Sequence, residues 1–283
     1  MRDIIAAEVG TQQVLALQGS APQPSPLPVV DEPCRLWHGE KLVGVYTGLQ
    51  GGALSDAEAV AAQSRYSETR RTNGLSQTSV VYGSLPRVSV RNDYCRRTAP
   101  SMGNPALYAK ACSVAQAIAA AYHEHLPHEY AHHLQHSTST ILPEWMVEGT
   151  PFTSINFNKN FAIPYHRDKA NDAGMFSNVL IVRRGILGGQ LVLPDFGVAL
   201  AMRHGSLVLF AGDKLMHGVL PFRPYVAGGY RCSVVAYTLG TMKNCLCGEE
   251  ELRRAQGRRT EVESSLRSEA MVSLAKAKGV PNA

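Results

Sequence analysis

The pattern of hydrophobic and polar positions changes at about residue 153. From there, short apolar runs separated by glycine and proline predict eight strands. These predicted strands cover 153–157, 161–166, 178–183, 190–193, 199–203, 206–210, 217–221 and 231–238. Short strands at this spacing are typical of an antiparallel sandwich or jelly roll closed over an interior pocket.

Helical spacing is found on both sides of this region. Asn104 and Pro105 provide an N-cap and a first helical position, and the helix should stop near Pro127. Its apolar face is predicted from positions at helical spacing: Leu107, Ala111, Val114, Ile118 and Tyr122. Further helices are predicted over 55–67, with Ser55 as N-cap, over 128–136, and in an amphipathic C-terminal segment that contains Val262, Leu266, Ala270 and Leu274.

The N-terminal region carries weaker signals. Residues 1–18 predict a short helix, and residues 19–33, with five prolines, predict a flexible or extended linker. Residues 37–47 predict a two-stranded ribbon, and residues 79–82 a short strand. We therefore expect an N-terminal segment (1–33), a domain (34–247) whose jelly-roll core covers about 153–240, and a charged C-terminal helix (248–283).

Composition indicates a globular protein. The 283 residues are 45% hydrophobic and 18% charged, which fits one large domain with appendages. The first seventeen residues include Asp3 and Glu8 and lack a long apolar run, so neither a secretory signal nor a membrane span is expected. Six scattered cysteines predict reduced thiols and an intracellular location, nuclear in a eukaryote. No membrane association and no obligate protein partner is indicated.

The net charge of +5 is unevenly distributed. Between residues 63 and 97, seven arginines stand against two acidic residues. The arginines are Arg65, Arg70, Arg71, Arg87, Arg91, Arg96 and Arg97. Such cations suit contacts to phosphates, and we expect two or three of them to act in this way while the others form a solvated face.

His166 and Asp168 form the sequence centre of a candidate metal site. On a strand both would face the same side, with Arg167 on the other. His217 would complete a facial triad of two imidazoles and one carboxylate, which holds iron(II) and leaves coordination positions open. The tripeptide alone is common by chance, so its weight depends on the surrounding sequence.

A second metal motif lies upstream. Residues 128–132 read His-Glu-Tyr-Ala-His, the H-E-x-x-H spacing that binds zinc on a helix. The motif sits in a histidine-rich run without a clear third ligand, although Glu144 and Glu148 are near in sequence. A zinc metalloprotease is therefore an alternative.

The ordered set of motifs resembles the iron(II)- and 2-oxoglutarate-dependent dioxygenases. The motifs are His166-x-Asp168, Gly188-Gly189, Gly205, His217-Gly218-Val219 and Arg231-x-Ser233. The resemblance implies an α+β, mainly β fold with a double-stranded β-helix core and flanking helices. It also implies iron(II) and 2-oxoglutarate as cofactors, with Arg231 and Ser233 on the distal carboxylate of 2-oxoglutarate.

Finer features are similar to the TET/JBP branch, which oxidises methyl groups on nucleic-acid bases. The resemblance covers about residues 70–239 and implies that Asn171 contacts the exocyclic amine of a flipped cytosine and that Tyr237 stacks on the base. Leu239 stands where the branch tends to have a histidine. An enzyme acting on a base inside a duplex must extrude it, and we expect Arg87 and Arg91 to help hold the DNA.

Three functions remain open on sequence besides the protease. The first is oxidation of a methylated DNA base, with 5-methylcytosine favoured over thymine. The second is a 2-oxoglutarate dioxygenase acting on a protein or small molecule, and the third is a DNA-binding module with an inactive site. The intact set of metal ligands and Arg231 argues against the third.

Overall fold

The structure is a computed structural model that describes residues 1–6, 8–24, 26–70, 76–87, 94–168 and 174–277. Within these ranges lie the helices α1 (Gln12–Leu15), α2 (Gly52–Gln63), α3 (Ala99–Gly103), α4 (Pro105–His125), α5 (Pro127–Thr140) and α6 (Gly248–Ala277). Short 3-10 helices cover Pro143–Trp145, Pro194–Phe196 and Gly240–Asn244. Among the helices of the described ranges, none is both long enough and apolar enough to cross a membrane.

The strands of the described ranges fall into two groups along the chain. Those before residue 100 are β1 (Arg2–Ala6), β2 (Val29–Val30), β3 (Cys34–His38), β4 (Lys41–Gly48), β5 (Ser67–Arg70), β6 (Ser76–Leu85) and β7 (Arg96–Arg97). Those after residue 150 are β8 (Ser154–Lys159), β9 (Ser177–Arg184), β10 (Ile186–Gly188), β11 (Leu191–Leu193), β12 (Val198–Leu200), β13 (Ser206–Phe210), β14 (Gly218–Val219), β15 (Phe222–Pro224) and β16 (Tyr230–Tyr237).

Two larger sheets and one separate two-stranded sheet build the jelly roll. The large sheet has the order β1-β3-β4-β13-β9-β16-β8-β6-β5, with β7 paired to β6. The small sheet has the order β14-β11-β12-β2, and β10 pairs with β15. Leu191, Leu200 and Val219 of the small sheet share one hydrophobic core with Val208 and Phe210 of the large sheet. The α+β, mainly β jelly roll expected from the sequence is present.

The two faces of the large sheet differ in chemistry. On one face, Ile155 and Phe157 of β8 are fully buried and lie in the same core as the apolar residues of α2 and α4. The other face, here called the inner face, carries polar residues at the alternate positions, including Asn156 and Asn158 of β8 and Ser233 of β16. A polar stripe between two sheets points to a binding pocket, because polar groups are unfavourable in a closed core.

The helix predicted behind Asn104 is confirmed. The Asn104 side chain accepts a hydrogen bond from the Leu107 amide at 3.1 Å, and α4 ends at His125, before Pro127. The next helix, predicted over 128–136, is α5. Helix α2 begins earlier than predicted, since its N-cap is Gly51 rather than Ser55. Gly51 has φ +73, a left-handed conformation that glycine adopts without strain.

The first thirty-three residues form more structure than predicted. The helix predicted over 1–18 is wrong for its first part, where β1 pairs in parallel with β3, and only α1 is helical. The segment expected as a linker contributes β2, which pairs in parallel with β12. The backbone amide of Gly19 donates to the carbonyl of Tyr165 at 2.8 Å, and the Tyr165 amide donates to the carbonyl of Ser20 at 2.9 Å. The boundary placed at residue 33 stays a prediction, but both sheets include strands that precede it.

The strand predicted over residues 161–166 does not form. Residues 161–166 form no named strand, and only His166 makes an isolated antiparallel bridge, to His217. The hydrogen-bonding partners of this segment are single residues on different elements, including Ser20 and His217, so its apolar alternation does not extend into a regular pairing.

The prediction that all cysteines are reduced is wrong for two of the six. Cys95 and Cys245 form a disulfide across 150 residues of sequence. The pairing joins the segment before β7 to the segment before α6, a contact that sequence separation conceals. Cys247, two residues away, is free, as are Cys34, Cys112 and Cys232.

Candidate active site

His166, Asp168 and His217 come together between the two sheets. The backbone amide of His166 donates to the carbonyl of His217 at 2.9 Å, and the reverse bond measures 3.0 Å. The Asp168 amide donates to the carbonyl of Gly212 at 2.8 Å. Residues 166–168 therefore run antiparallel to 212–217, and this local pairing carries all three side chains to one point.

Backbone carbonyls fix the tautomer of both imidazoles. Nδ1 of His166 lies 3.0 Å from the carbonyl oxygen of Pro164, and Nδ1 of His217 lies 3.0 Å from that of Leu215. A carbonyl can only accept, so Nδ1 carries a proton in both rings, and in this tautomer of the neutral ring the lone pair is on Nε2. The two Nε2 atoms lie 3.5 Å and 3.8 Å from Oδ1 of Asp168, and the three ligand atoms are all within 4.8 Å of one another. This donor set is suited to a metal ion, and the Nδ1 hydrogen bonds orient both imidazoles.

The carboxylate of Asp168 is oriented by Ser177, the first residue of β9, whose hydroxyl donates to Oδ2 at 2.5 Å. Burial acts to raise the pKa of Asp168, but its contacts with His166 and Ser177 and the nearby His217 hold the pKa well below its ordinary value. Gly212 is required beside this pair, because an added Cβ would overlap both the Ser177 hydroxyl and the Asp168 carboxylate. The carboxyl group is thus ionised, as a metal ligand must be.

His217 is almost enclosed, with 5% exposure. Burial lowers its pKa to about 4, so the ring is neutral at physiological pH and Nε2 is available as a ligand. Its ring packs edge-on against Phe210 of β13, with centroids 4.8 Å apart.

Arg231 is a buried cation on the inner face of β16. It is 2% exposed, and in the part of the chain that the structure describes its Nε has no hydrogen-bond partner and no carboxylate pairs with the guanidinium. Burial and the neighbouring Arg183 lower its pKa to about 10, which leaves it charged at neutral pH. The guanidinium carbon lies 5.6 Å from the centre of the Phe222 ring. A buried cation in this state requires an anion, because an unpaired buried charge is unfavourable.

The other predicted pocket residues are distributed as follows. Ser233 and Tyr237 lie two and six residues after Arg231 on the same face of β16, with Ser233 opposite Asn158 and Tyr237 opposite Ser154. Asn171 and Arg91 lie outside the described residues.

Arg87 takes part in a structural contact. Its guanidinium binds the carboxylate of Glu251, whose side chain is only 1% exposed. The same carboxylate accepts the amides of Cys95 and Leu246, each at 2.8 Å. A phosphate contact for Arg87 stays a prediction, and the pairing gives it a second role, which is to hold the start of α6.

The histidine-rich helix has a different arrangement from the triad. His128 and His132 are exposed on α5, while His133 is buried and its Nε2 lies 3.1 Å from the Thr238 hydroxyl. Over the described ranges, one group of three or more potential metal-ligating side chains lies close enough together to bind one ion. This group is His166, Asp168 and His217. Within the described ranges, no third ligand lies close enough to His128 and His132 to complete the site that a zinc protease needs.

Sequence reasoning missed several supporting residues. Ser177, Asp195 and Asn156 are short polar residues within apolar stretches, and nothing in their spacing relates them to the triad. Gly189 was noted as part of a turn, but its role is spatial: an added Cβ would lie 3.0 Å from Cδ and Nε of Arg231.

Comparisons with known proteins agree with this geometry. A family model described as Tet_JBP, oxygenase domain of the 2OGFeDO superfamily, matches residues 87–239. The bifunctional helicase and thymine dioxygenase JBP2 of Trypanosoma brucei brucei is 28% identical over 133 residues, which is 47% of this chain but only 12% of that protein. The structure of NgTET1 in complex with 5mC DNA superposes with a TM-score of 0.58 at 12% identity, covering 88% of this chain and 100% of that one. At this identity the superposition establishes the fold alone, a double-stranded β-helix.

Proposed function

Because the chain belongs to the Tet_JBP family of oxygenase domains, in the superfamily of 2-oxoglutarate- and iron(II)-dependent dioxygenases, we propose that it oxidises the methyl group of a base flipped out of DNA. We propose 5-methylcytosine as the favoured base. The observation that carries the proposal is the converging triad of His166, Asp168 and His217, together with the buried Arg231 on the inner face of the large sheet, whose Nε has no hydrogen-bond partner among the described residues.

The triad fits iron(II). Two neutral Nε2 atoms and one ionised carboxylate oxygen form the 2-His-1-carboxylate set, in which one side of the metal is left open to other ligands. The carbonyl groups of Pro164 and Leu215 and the hydroxyl of Ser177 hold the three ligands in orientation. We assign His166, Asp168 and His217 as the metal ligands and as the catalytic centre.

The surroundings of Arg231 fit one carboxylate of 2-oxoglutarate. A guanidinium forms paired hydrogen bonds to a carboxylate, which would neutralise the charge and satisfy the orphaned Nε. Ser233, on the same face, offers a hydroxyl to the same group. The role of the protein at this end is to bind and orient a dicarboxylate whose other end reaches the metal.

When bound, iron(II) would activate oxygen, the oxidant, with one oxygen atom converting a methyl C–H bond to C–OH while 2-oxoglutarate supplies the other two electrons and leaves as succinate and carbon dioxide. The chain's own residues position the base. Tyr237 would stack on the extruded base and Asn171 would contact its exocyclic amine, so that the methyl group is held beside the metal. Arg87 and Arg91 are proposed to assist in holding the flanking phosphates.

DNA is proposed as the substrate on two grounds. The relative JBP2 is a thymine dioxygenase, and the matching NgTET1 structure contains 5mC DNA. The chain also has a segment rich in arginine between residues 63 and 97, whose strand β6 pairs with β8, and such a segment suits a polyanion. An enzyme acting on chromosomal DNA meets it inside the cell, so we propose an intracellular location, nuclear in a eukaryote.

The test is a reaction of the protein with a duplex containing 5-methylcytosine, iron(II), 2-oxoglutarate and oxygen, followed by mass spectrometry of the nucleosides. We expect hydroxymethylcytosine that depends on both cofactors. Asp168→Ala should abolish it, because two imidazoles alone hold iron weakly. Full turnover by Asp168→Ala with iron supplied would show that the assignment is wrong.

The same assay separates the other functions. Consumption of 2-oxoglutarate without oxidation of any base would favour a protein or small molecule as substrate. DNA binding that is independent of iron, with no turnover, would favour a binding module.

A further inference from the structure

Two amides on the inner face of β8 have no role in the site described so far. Asn156 is 9% exposed and Asn158 is 7% exposed. They share this face with Ser177 and Phe210, which contact Asp168 and His217. The two amides therefore lie on the side of the large sheet that carries the metal-ligating triad.

The hydrogen bonds of this pair are incomplete. Nδ2 of Asn156 donates to Oδ1 of Asn158 at 3.1 Å. Oδ1 of Asn156 is buried and has no hydrogen-bond partner among the described residues. Its cross-strand neighbours are Val81 and Val235, whose side chains have no donor to offer. A buried acceptor without a donor is rare in folded proteins, and a bound ligand is one way in which it is satisfied.

The position of Asn156 along the sheet indicates which part of a ligand it meets. On β16 its partner Val235 stands midway between Ser233, assigned to the co-substrate, and Tyr237, assigned to the base. Asn156 thus lies between the co-substrate end and the base end of the inner face.

Resting on the proposed function, we propose that Oδ1 of Asn156 accepts a hydrogen bond from the exocyclic amine of the bound base and makes the enzyme prefer 5-methylcytosine to thymine. The two bases differ at this position, since cytosine carries an N–H donor and thymine a carbonyl oxygen. With thymine, two acceptors would face each other and Asn156 would stay unpaired. A site built around a polar group discriminates strongly against a ligand that leaves that group unpaired.

The test is a competition between otherwise identical duplexes that carry 5-methylcytosine or 5-methyl-labelled thymine at one position. Nucleoside mass spectrometry gives the ratio of kcat/KM for the two bases. We expect the wild-type protein to favour 5-methylcytosine by about 10- to 100-fold, the range for one buried hydrogen bond. Asn156→Leu, which has a similar volume and no acceptor, should lower this ratio by about tenfold, mainly by slowing the cytosine reaction, while the contact assigned to Asn171 stays.

Two further variants separate recognition from packing. Asn156→Asp keeps an acceptor oxygen at the same place and should retain the cytosine preference, which also covers the case that Asn156→Leu fails to fold. Val81→Ala removes volume beside Asn156 without changing a polar atom, and it should leave the ratio unchanged whatever its rate. Thermal unfolding of each variant shows whether it is folded.

The outcomes are distinct. A wild-type protein that oxidises both bases equally or prefers thymine would overturn the assignment of Asn156, and so would an Asn156→Leu protein with an unchanged ratio, while the proposed function would stand. A wild-type protein that consumes 2-oxoglutarate but oxidises neither base would overturn the proposed function and this inference with it.

Discussion

The side-chain carboxylate of Asp195 lies 3.0 Å from the backbone nitrogen of Met216, the residue before His217. Its other oxygen accepts the amide of Gly10 at 2.6 Å. One carboxylate therefore connects the N-terminal segment to the backbone beside His217, a proposed metal ligand. Asp195 is a positioning residue, since it touches neither the metal ligands nor the pocket directly.

We expect Asp195→Ala to weaken iron binding by about tenfold, because residues that orient metal ligands typically contribute 10- to 100-fold in affinity. Titration with cobalt(II), followed by its visible absorption, measures the dissociation constant without turnover. Asp31→Ala is the matched control, since Asp31 pairs with Arg203 at the surface, away from the triad. If the Asp195→Ala and Asp31→Ala variants bind cobalt(II) with equal affinity, Asp195 has no role in holding His217.

Gly189→Ala should raise the KM for 2-oxoglutarate. The added Cβ would lie 3.0 Å from Cδ and Nε of Arg231 and would displace the guanidinium. We expect an increase of about tenfold, equivalent to about 1.4 kcal/mol. Gly197→Ala provides the control, because Gly197 also has positive φ but its Cβ would meet nothing within 4 Å. Loss of stability without a change in KM would show that only backbone strain had been introduced.

Removing the disulfide should destabilise the fold. The double variant of Cys95 and Cys245 to alanine loses a cross-link spanning 150 residues, and we expect the free energy of unfolding to fall by about 2–5 kcal/mol. Urea unfolding of this variant and of Cys247→Ala, which removes a nearby free thiol, gives the comparison. A reducing agent should lower the stability of the wild-type protein but not that of the double variant.

Glu251 should make stability depend on pH. Burial acts to raise its pKa, but hydrogen bonds from Arg87 and from two backbone amides outweigh burial and hold the pKa below its ordinary value. A carboxyl group with a depressed folded-state pKa stabilises fully above its unfolded pKa, about 4.3, and this contribution disappears as pH falls through the folded value.

Glu251→Gln should accordingly lower the free energy of unfolding by about 3 kcal/mol at pH 7, the scale for breaking a buried ion pair. The difference from the wild type should shrink as pH falls below about 4. Glu249→Gln, at an exposed site paired with Arg253, should have little effect at either pH. A constant difference across this pH range would mean that Glu251 does not act through its charge.

The sequence could predict the triad and the helix α4, because their signals are local. A two-residue spacing defines His166 and Asp168, and an N-cap with a following proline defines the start of α4 at Asn104. Seven of the eight predicted strands from residue 153 onward overlap a strand of the structure, and four of these observed strands are at least as long as predicted. Their alternation is a property of the segment itself, so it is readable without knowledge of the neighbours.

The rest depends on contacts between distant segments. Strand β2 has only two residues and forms because β12 lies beside it, some 170 positions along the chain. The Cys95–Cys245 bond and the Glu251 contacts likewise require the final fold. Asn156 belongs to the same class, since its unpaired oxygen becomes visible only when the neighbours on both sides are known to be valines.

The strands that precede Arg87 determine where a stable fragment of this protein can begin. The recognisable homology begins at residue 87, yet β1 to β6 come earlier and supply five of the ten strands of the large sheet and one edge of the small sheet. A fragment cut at the borders of the sequence match would expose the free edge of β13 and of β8 and would lose the anchor on Tyr165. The sheets therefore extend beyond the segment covered by the family match, and recombinant fragments need to include β1 to β6.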